Sequence, residues 1–351
     1  MNKQASLFAG TLLSVTLLAG CPNTGNMKTV NVDVMTPAEI PLPSNIKNLL
    51  VVDRTVYTGN PFDSNEALVT AEVPGEDREA TQTLIFFLQR YLGASPRFQT
   101  VIATESLTGN SFNKELPRAI PWDTVKDLCR RYQTNALVAI ELYGSDFNVS
   151  NPRPATAGQL AMANDPQQSR YAVEAAGNVV FGFRVYDPET ETIIDEQLYR
   201  HKQTWDATGP DPASALANLI NRKQAIADLI HLAGAEYSRR IAPISVPVTR
   251  KYYGASAAVP AMATGTQFAE QGKWQDAADT WEAAINQAPK REAGQLAYNV
   301  AIAYEKLGNT DKAQAWAKRA SEDYANDQAR TYLSGLEEKR TLEMRADGQL
   351  R

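Results

Sequence analysis

A self-similar pattern of small and aromatic residues constrains the C-terminal part of this 351-residue chain. Its first copy is made of Gly265, Phe268, Gly272, Trp274, Ala277, Trp281, Ala284 and Pro289. A second copy follows with Ala301, Tyr304, Gly308, Ala313 and Ala320. Small residues let two helices approach closely, aromatic residues fill the space between them, and glycines allow the chain to turn. The pattern therefore predicts antiparallel helix pairs from Ala261 onward.

The spacing of these residues is typical of tetratricopeptide repeats, which places such a domain at residues 261–351. Two copies are fewer than the three or more that a free-standing array needs. Asp327–Arg345 supplies one further amphipathic helix with a charged outer face, which suits a capping helix. We therefore expect the repeats to gain additional support from the preceding domain.

In this class of repeat, the first helix of each pair lines a concave groove. The positions not used in packing are Met262, Thr266, Glu270, Tyr298, Glu305 and Lys306. An aromatic side chain beside mixed charges suits an extended peptide, because tyrosine offers apolar area together with a polar tip. The sequence predicts that these six residues bind a protein or peptide partner. The alternative is that this face packs on the α/β domain and binds nothing.

Alternating strand and helix patterns occupy residues 28–242 and predict an α/β domain with a mixed, partly parallel sheet. The expected strands are Thr29–Met35, Ile46–Val52, Phe98–Ala103 and Ala136–Leu142, with helices at Glu76–Leu92, Trp122–Tyr132 and Ala213–Ile241. An antiparallel hairpin is expected from Tyr171–Tyr186 and Thr192–Trp205, on either side of a turn that starts at Asp187. Residues 144–169 are expected to form a long loop, and the proline-rich residues 243–260 a linker.

The chain begins with a short positive region, an apolar run, and the sequence Leu18-Ala19-Gly20-Cys21. This order predicts a lipoprotein signal peptide over residues 1–20, cleaved between Gly20 and Cys21, with lipid attached to the Cys21 thiol. Residues 21–27 would then form a tether to the membrane. Pro22-Asn23 lacks the aspartate that retains many lipoproteins in the inner membrane, which favours the outer membrane facing the periplasm. The alternative is an ordinary secretory signal with a coincidental cysteine.

Few residues in the sequence point to catalytic, metal or cofactor chemistry. His201 and His231 belong to different predicted elements, and Cys129 is the sole cysteine besides Cys21, so a zinc site is not expected. Gly-x-Ser-x-Gly and Gly-x-Gly-x-x-Gly motifs are missing, which argues against a serine hydrolase or a dinucleotide cofactor. A net charge of −5 without basic runs argues against nucleic acid as a partner. The spacing of Trp122, Val125 and Tyr132 places Cys129 on the inner face of a helix, as a buried thiol.

Three polar residues lie at or near the ends of predicted apolar strands. These are Asp53, Arg54 and Glu141, and ligands of open α/β sheets gather at the carboxyl ends of strands. Glu141 stands within an otherwise apolar run, where an unpaired buried acid would be costly. The interpretation as a ligand site competes with two others, a partly exposed strand end and an internal ion pair.

The mature chain resembles a family of bacterial lipoproteins of unassigned function that join an α/β domain to C-terminal tetratricopeptide repeats. The resemblance is carried by Pro37–Pro43, Ala136–Leu142, Arg240–Pro243, Arg250–Tyr253 and Gly272-Lys273-Trp274 with Ala277. The first domain also resembles, more loosely, the amino-terminal domain of the Tol–Pal translocation protein. The resemblance implies an architecture and no activity.

Two functions are compatible with these observations. The first is a lipid-anchored periplasmic adaptor, without catalytic activity, whose repeats hold a protein partner. The second is a lipid-tethered enzyme or small-ligand receptor that uses Asp53, Arg54, Glu141 and the loop at 144–169. The repeat, the lipoprotein signal sequence and the missing catalytic motifs favour the adaptor.

Overall fold

The computed structural model describes residues 27–57, 76–110, 114–163 and 165–351. The predicted signal peptide, Gly20, Cys21 and most of the tether lie outside the described residues. The chain divides into two compact units. The α/β unit comprises Asp33–Pro247 and Glu337–Arg351, and the helical unit comprises the described residues up to Val32 together with Val248–Leu336.

The strands and helices are numbered in chain order. The strands are β1 Met27–Thr36, β2 Asn48–Asp53, β3 Val56–Tyr57, β4 Gln99–Ile102, β5 Thr108–Asn110, β6 Ala136–Val149, β7 Arg153–Pro154, β8 Tyr171–Asp187, β9 Thr192–Gly209 and β10 Ile244–Tyr253. The helices are α1 Glu76–Ala94, α2 Trp122–Tyr132, α3 Ala157–Met162, α4 Pro212–Asn218, α5 Arg222–Ile241, α6 Pro260–Glu270, α7 Trp274–Ala284, α8 Lys290–Lys306, α9 Thr310–Glu322 and α10 Asp327–Leu350.

The main sheet of the α/β unit has six strands and is mixed, which confirms the predicted fold class. Strand β2 pairs in parallel with β4 and with β6, whereas β6, β8 and β9 pair antiparallel. The short strand β7 pairs with the start of β8. Two further pairs, β3 with β5 and β1 with β10, form separate small sheets.

Each face of the main sheet is covered by helices because its strands carry apolar residues on both faces. On one face, Leu84 and Leu88 of α1 and Leu229 of α5 pack against Phe181 and Phe183 of β8. On the other face, residues of α2 pack against the sheet in a second cluster that contains Val125, Leu128, Leu50 and Tyr186. The sequence alternation at Val179–Val185 therefore indicated the larger core correctly.

The helical unit contains consecutive helices at the predicted positions. The pairs α6–α7 and α8–α9 are followed by α10, and Trp281 and Tyr304 lie in the core between them. Gly272 and Gly308 adopt φ values of +78° and +77°, which other residues adopt only with strain, so their predicted role in turning the chain is confirmed. The assignment of these helices to the tetratricopeptide class remains a prediction.

Two predictions within the α/β unit were wrong. The loop expected at residues 144–169 contains the end of β6, strand β7 and helix α3. The single helix expected at Ala213–Ile241 is divided into α4 and α5, because the side chain of Asn221 accepts a hydrogen bond from the Gln224 backbone and starts a new helix. The helical spacing of apolar residues continues across this break, and the sequence pattern therefore predicted a single helix.

The predicted linker at residues 243–260 also differs from the structure. It contains strand β10, in which buried or half-buried residues alternate with exposed ones at the start of the strand. Pro243 and Pro247 suggested a linker, but a strand in a two-stranded sheet has a free edge where proline is tolerated. The division between the units falls between Pro247 and Val248, within this strand.

Cys129 is buried on the inner face of α2, as predicted, and forms no disulfide. Burial raises the pKa of its thiol, which disfavours the reactive thiolate. Among the described residues, no helix is both long enough and apolar enough to cross a membrane.

We predict that Gly265→Ala destabilises the helical unit. A Cβ atom at this position would lie 2.2 Å from the indole Nε1 of Trp281, which is fully buried. Overpacking of this kind costs about 1–3 kcal/mol or more, measurable as a lower midpoint of urea unfolding. Gly348→Ala is the matched control, since this glycine is also helical and an added Cβ atom would meet no other atom within 4 Å. An equal effect of both substitutions would contradict the close approach at Gly265.

Candidate functional site

The helical unit holds an extended segment of its own chain, Arg250–Tyr253 at the end of β10. We call it the clasped segment. The side chain of Asn299 on α8 accepts a hydrogen bond from the backbone N–H of Tyr253 at 2.8 Å and donates one to the Tyr253 carbonyl at 2.7 Å. The hydroxyl of Tyr298 donates to the Lys251 carbonyl at 2.9 Å. These three hydrogen bonds are made to backbone groups. They can therefore hold an extended chain of almost any side-chain sequence.

A buried ion pair fixes the same segment. The guanidinium of Arg250 donates to both carboxylate oxygens of Glu305, with Nε to Oε2 at 3.0 Å and Nη2 to Oε1 at 3.1 Å. The side chain of Glu305 is fully buried, and the hydroxyl of Tyr332 also donates to it at 2.7 Å. Burial and the charge of Glu305 raise the pKa of Tyr332, so this hydroxyl remains protonated and able to donate.

Aromatic packing also holds the clasped segment in the groove. Tyr252 is buried, with ring centroids 5.7 Å from Trp274 and 6.0 Å from Trp281. Tyr253 meets Tyr298 edge to face at 5.6 Å. The segment therefore combines backbone clamps, one paired charge and apolar burial, which are the contacts used by peptides bound in helical grooves.

The structure places four of the six predicted groove residues in the interior. Tyr298 and Glu305 bind the clasped segment, Met262 is fully buried, and the hydroxyl of Thr266 donates to the Met262 carbonyl at 2.8 Å. The prediction that these four positions are not used in packing was therefore wrong. For Tyr298 and Glu305 the reason is that β10, which was predicted as a linker, occupies the groove.

The other two predicted groove residues also have partners within the helical unit. Glu270 is exposed and forms an ion pair with Lys28 at 2.8 Å. Lys306 donates from Nζ to the carbonyl of Asn31 at 2.7 Å. Whether any of the six binds a partner protein stays a prediction.

Sequence reasoning missed Asn299, Arg250 and Tyr332 as groove residues. Asn299 is the residue from which the groove contact could have been predicted. It lies beside Tyr298 in an otherwise apolar stretch of helix, and a buried polar side chain requires a hydrogen-bonding partner. Its partner could not be identified locally, since Tyr253 belongs to a distant strand.

The second predicted site divides into two arrangements in the α/β unit. Arg54 and Glu141 meet, with Nη1 of Arg54 2.5 Å from Oε2 of Glu141, which is fully buried. Tyr186 donates its hydroxyl to the other oxygen of Glu141, and Arg184 lies 3.6 Å from that oxygen. Asp53 takes no part in this cluster.

Asp53 instead organises the turn after β2. Its Oδ1 accepts hydrogen bonds from the backbone and hydroxyl of Thr55, both at 2.8 Å, and its Oδ2 accepts from Ser106 at 3.1 Å. Of the three interpretations of these polar residues, an internal ion pair describes Glu141. A ligand at this cluster would have to break hydrogen bonds that the chain already makes.

We predict that Glu141→Gln destabilises the α/β unit strongly. Arg54 and Arg184 would lose a charged partner in a buried environment, which typically costs about 3–5 kcal/mol, measurable by urea unfolding. The control is Glu79→Gln, which breaks an exposed ion pair with Lys223 and should cost no more than about 1 kcal/mol. Similar small losses for both variants would show that the cluster is not a structural ion pair.

Two concave regions of the α/β unit lie away from these residues. A cavity of about 80 Å³ lies between α1, β6 and α5, with Ala80, Tyr143, Ile226 and Ile230 in its wall. A wider cleft of about 780 Å³ lies between α3 and the end of β9, and Gln159, Asp165, Asp206 and Asn218 are among its polar residues. The cleft coincides with part of the predicted loop. Within the part of the chain that the structure describes, no group of three or more His, Cys, Asp or Glu could hold a metal ion.

Two family models match the chain. One is described as a domain of unknown function (DUF8603) and matches residues 46–253, and the other is described as a domain of unknown function (DUF6340) and matches residues 263–338. No curated protein sequence matches. The two matched ranges correspond closely to the α/β part and the helical part of the chain.

Among solved structures, the chain is similar to a neuraminyllactose-binding hemagglutinin homolog from Helicobacter pylori. That match has 10% identity and a TM-score of 0.29, and covers 57% of this chain and 86% of the other. Two crystal forms of the PelC dodecamer from Paraburkholderia phytofirmans match with 12% identity and TM-scores of 0.23 and 0.24. They cover 60% and 61% of this chain and 97% and 99% of PelC. TM-scores this low carry no conclusion about fold or function.

Proposed function

The chain belongs to the family described as a domain of unknown function (DUF8603), and from this premise we propose that it is a lipid-anchored adaptor of the bacterial envelope. The anchor is inferred from Leu18-Ala19-Gly20-Cys21, a sequence typical of lipoprotein cleavage sites. Pro22-Asn23 favours the outer membrane, with the protein facing the periplasm. The proposal assigns the protein no catalytic role and no cofactor.

One observation carries the adaptor proposal, namely the way in which the helical unit holds the clasped segment. Asn299 and Tyr298 bind backbone groups of Lys251 and Tyr253, as a peptide-binding groove would bind a partner's extended segment. This geometry supports a groove that accepts an extended polypeptide. The tetratricopeptide spacing of the sequence favours the same use.

In the adaptor, the chain's own segment and the partner segment compete for one groove. An intramolecular segment has a high effective concentration, so it keeps the groove filled until a partner of sufficient affinity replaces it. The partner is therefore an extended protein segment with an aromatic residue to take the place of Tyr252 between the tryptophans, and a basic residue to pair with Glu305.

We predict opposite effects of two substitutions on partner capture from detergent-solubilised envelope. Tyr252→Ala removes the aromatic anchor of the clasped segment and should increase the amount of bound partner, read by quantitative mass spectrometry. Asn299→Ala removes the clamp that any occupant needs and should decrease it. Thermal unfolding of each variant verifies that the protein remains folded. Unchanged capture in both folded variants would exclude the groove as the partner site and overturn this proposal.

A lipid-tethered receptor for a small polar ligand is the second candidate function. The cleft of about 780 Å³ favours it, because carboxylates, amides and hydroxyls from α3, β9 and α4 converge there. This candidate uses part of the loop predicted at residues 144–169, but neither Asp53, Arg54 nor Glu141.

A further inference from the structure

Strand β9 lies at one end of the main sheet and has one unpaired edge. It is 18 residues long and pairs with β8 along its whole length, from Thr192 to Gly209. No strand in the described part of the chain pairs with its other edge. A long free edge offers a row of backbone donors and acceptors, and proteins normally cover or interrupt such edges.

The stretch Arg200–Asp206 of this edge is open and regular. Lys202, Gln203, Thr204 and Asp206 are exposed, and the stretch contains no proline. The register between β8 and β9 shifts only near the other end of the strand, opposite the step from Val185 to Tyr186.

Beyond this stretch the chain covers its own edge. The side chain of Asn218 on α4 donates to the carbonyl of Thr208 at 2.9 Å, so the end of β9 has a partner within the chain. The contrast marks Arg200–Asp206 as the part of the strand that is available for pairing.

The first half of the strand differs as well, because its charges have partners in the chain. Asp195 is buried and pairs with Arg240 at 2.8 Å, and Glu196 pairs with Arg184 at 2.6 Å.

In the open stretch, the side chains of Lys202 and Asp206 have no hydrogen-bonding or ion-pair partner among the described residues. Their charges are opposite. They point to the same face of the sheet, since successive side chains of a strand alternate between faces.

We propose that β9 pairs antiparallel with the β9 of a second copy of this chain, about a two-fold axis at Thr204. In this register Lys202 lies opposite Asp206 of the second copy, and the two-fold axis creates the same pair a second time. Thr204 lies opposite its counterpart. Both sheets thereby become one continuous sheet, and side chains of one face remain on that face.

Charge decides in favour of a second copy over an unrelated strand. Opposite charges directly across an antiparallel pair stabilise it, whereas like charges destabilise it. The edge is therefore self-complementary at Lys202 and Asp206, which is what a two-fold interface requires of the same surface on both copies. This association is independent of the adaptor function proposed above.

The test measures the mass of the full-length chain purified in detergent by light scattering. We expect the wild type to be a dimer, and both Lys202→Glu and Asp206→Lys to be monomers, because each single substitution places like charges opposite each other twice. An equimolar mixture of the two single variants should form a dimer again, since each interface contact then joins opposite charges. The double variant should also be a dimer.

Lys273→Glu is the control, because it makes the same charge change at an exposed lysine of the helical unit and should remain dimeric. A disulfide gives an independent measurement. Facing residues of an antiparallel pair have Cα atoms about 4.5–5.5 Å apart, within the range that a disulfide spans. Thr204→Cys should therefore yield a covalent dimer under oxidation.

Three results would overturn the proposal. A monomeric wild type, or single variants that remain dimeric, would show that β9 does not pair in this way. Single variants that dissociate without recovery in the mixture and in the double variant would show that the edge binds a different partner.

Discussion

The seating of Arg250–Tyr253 against α8 is the interaction on which the helical unit depends. The predicted repeats number only two, and an array of that size lacks apolar partners for its groove-facing side chains. Strand β10 supplies them by burying Tyr252 against Trp274 and Trp281, and it pairs Arg250 with the buried carboxylate of Glu305. A groove that could have been solvent-exposed is thus part of the core.

The two units use buried charge in the same way. In the α/β unit Arg54 and Tyr186 satisfy Glu141, and in the helical unit Arg250 and Tyr332 satisfy Glu305. Each arrangement joins an acid on a strand or helix to an arginine and a tyrosine from elements distant in sequence. Because removing one partner leaves the others buried, such clusters specify which elements pack together. The predicted site residues Glu141 and Glu305 therefore have a structural role in these two clusters.

Local periodicity was sufficient to predict most of the fold. The strand over 136–142, the helix over Trp122–Tyr132 and the turning glycines Gly272 and Gly308 are present because each depends on neighbours within a few residues. The site depends on Tyr253 meeting Asn299 and Arg250 meeting Glu305, and no local pattern encodes such pairings. Pro243 and Pro247 led to the prediction of a linker instead of β10, and the sequence therefore predicted an unoccupied groove.

Hydrogen exchange at the backbone amide of Tyr253 tests most directly whether the clasped segment fills the groove of the helical unit. This amide donates to the side chain of Asn299 on α8. We expect it to exchange much more slowly than an unprotected amide, because the clasped segment fills the groove while no partner is bound. Exchange at the rate of an unprotected amide, while α8 remains protected, would contradict this claim and show that the groove is open in solution.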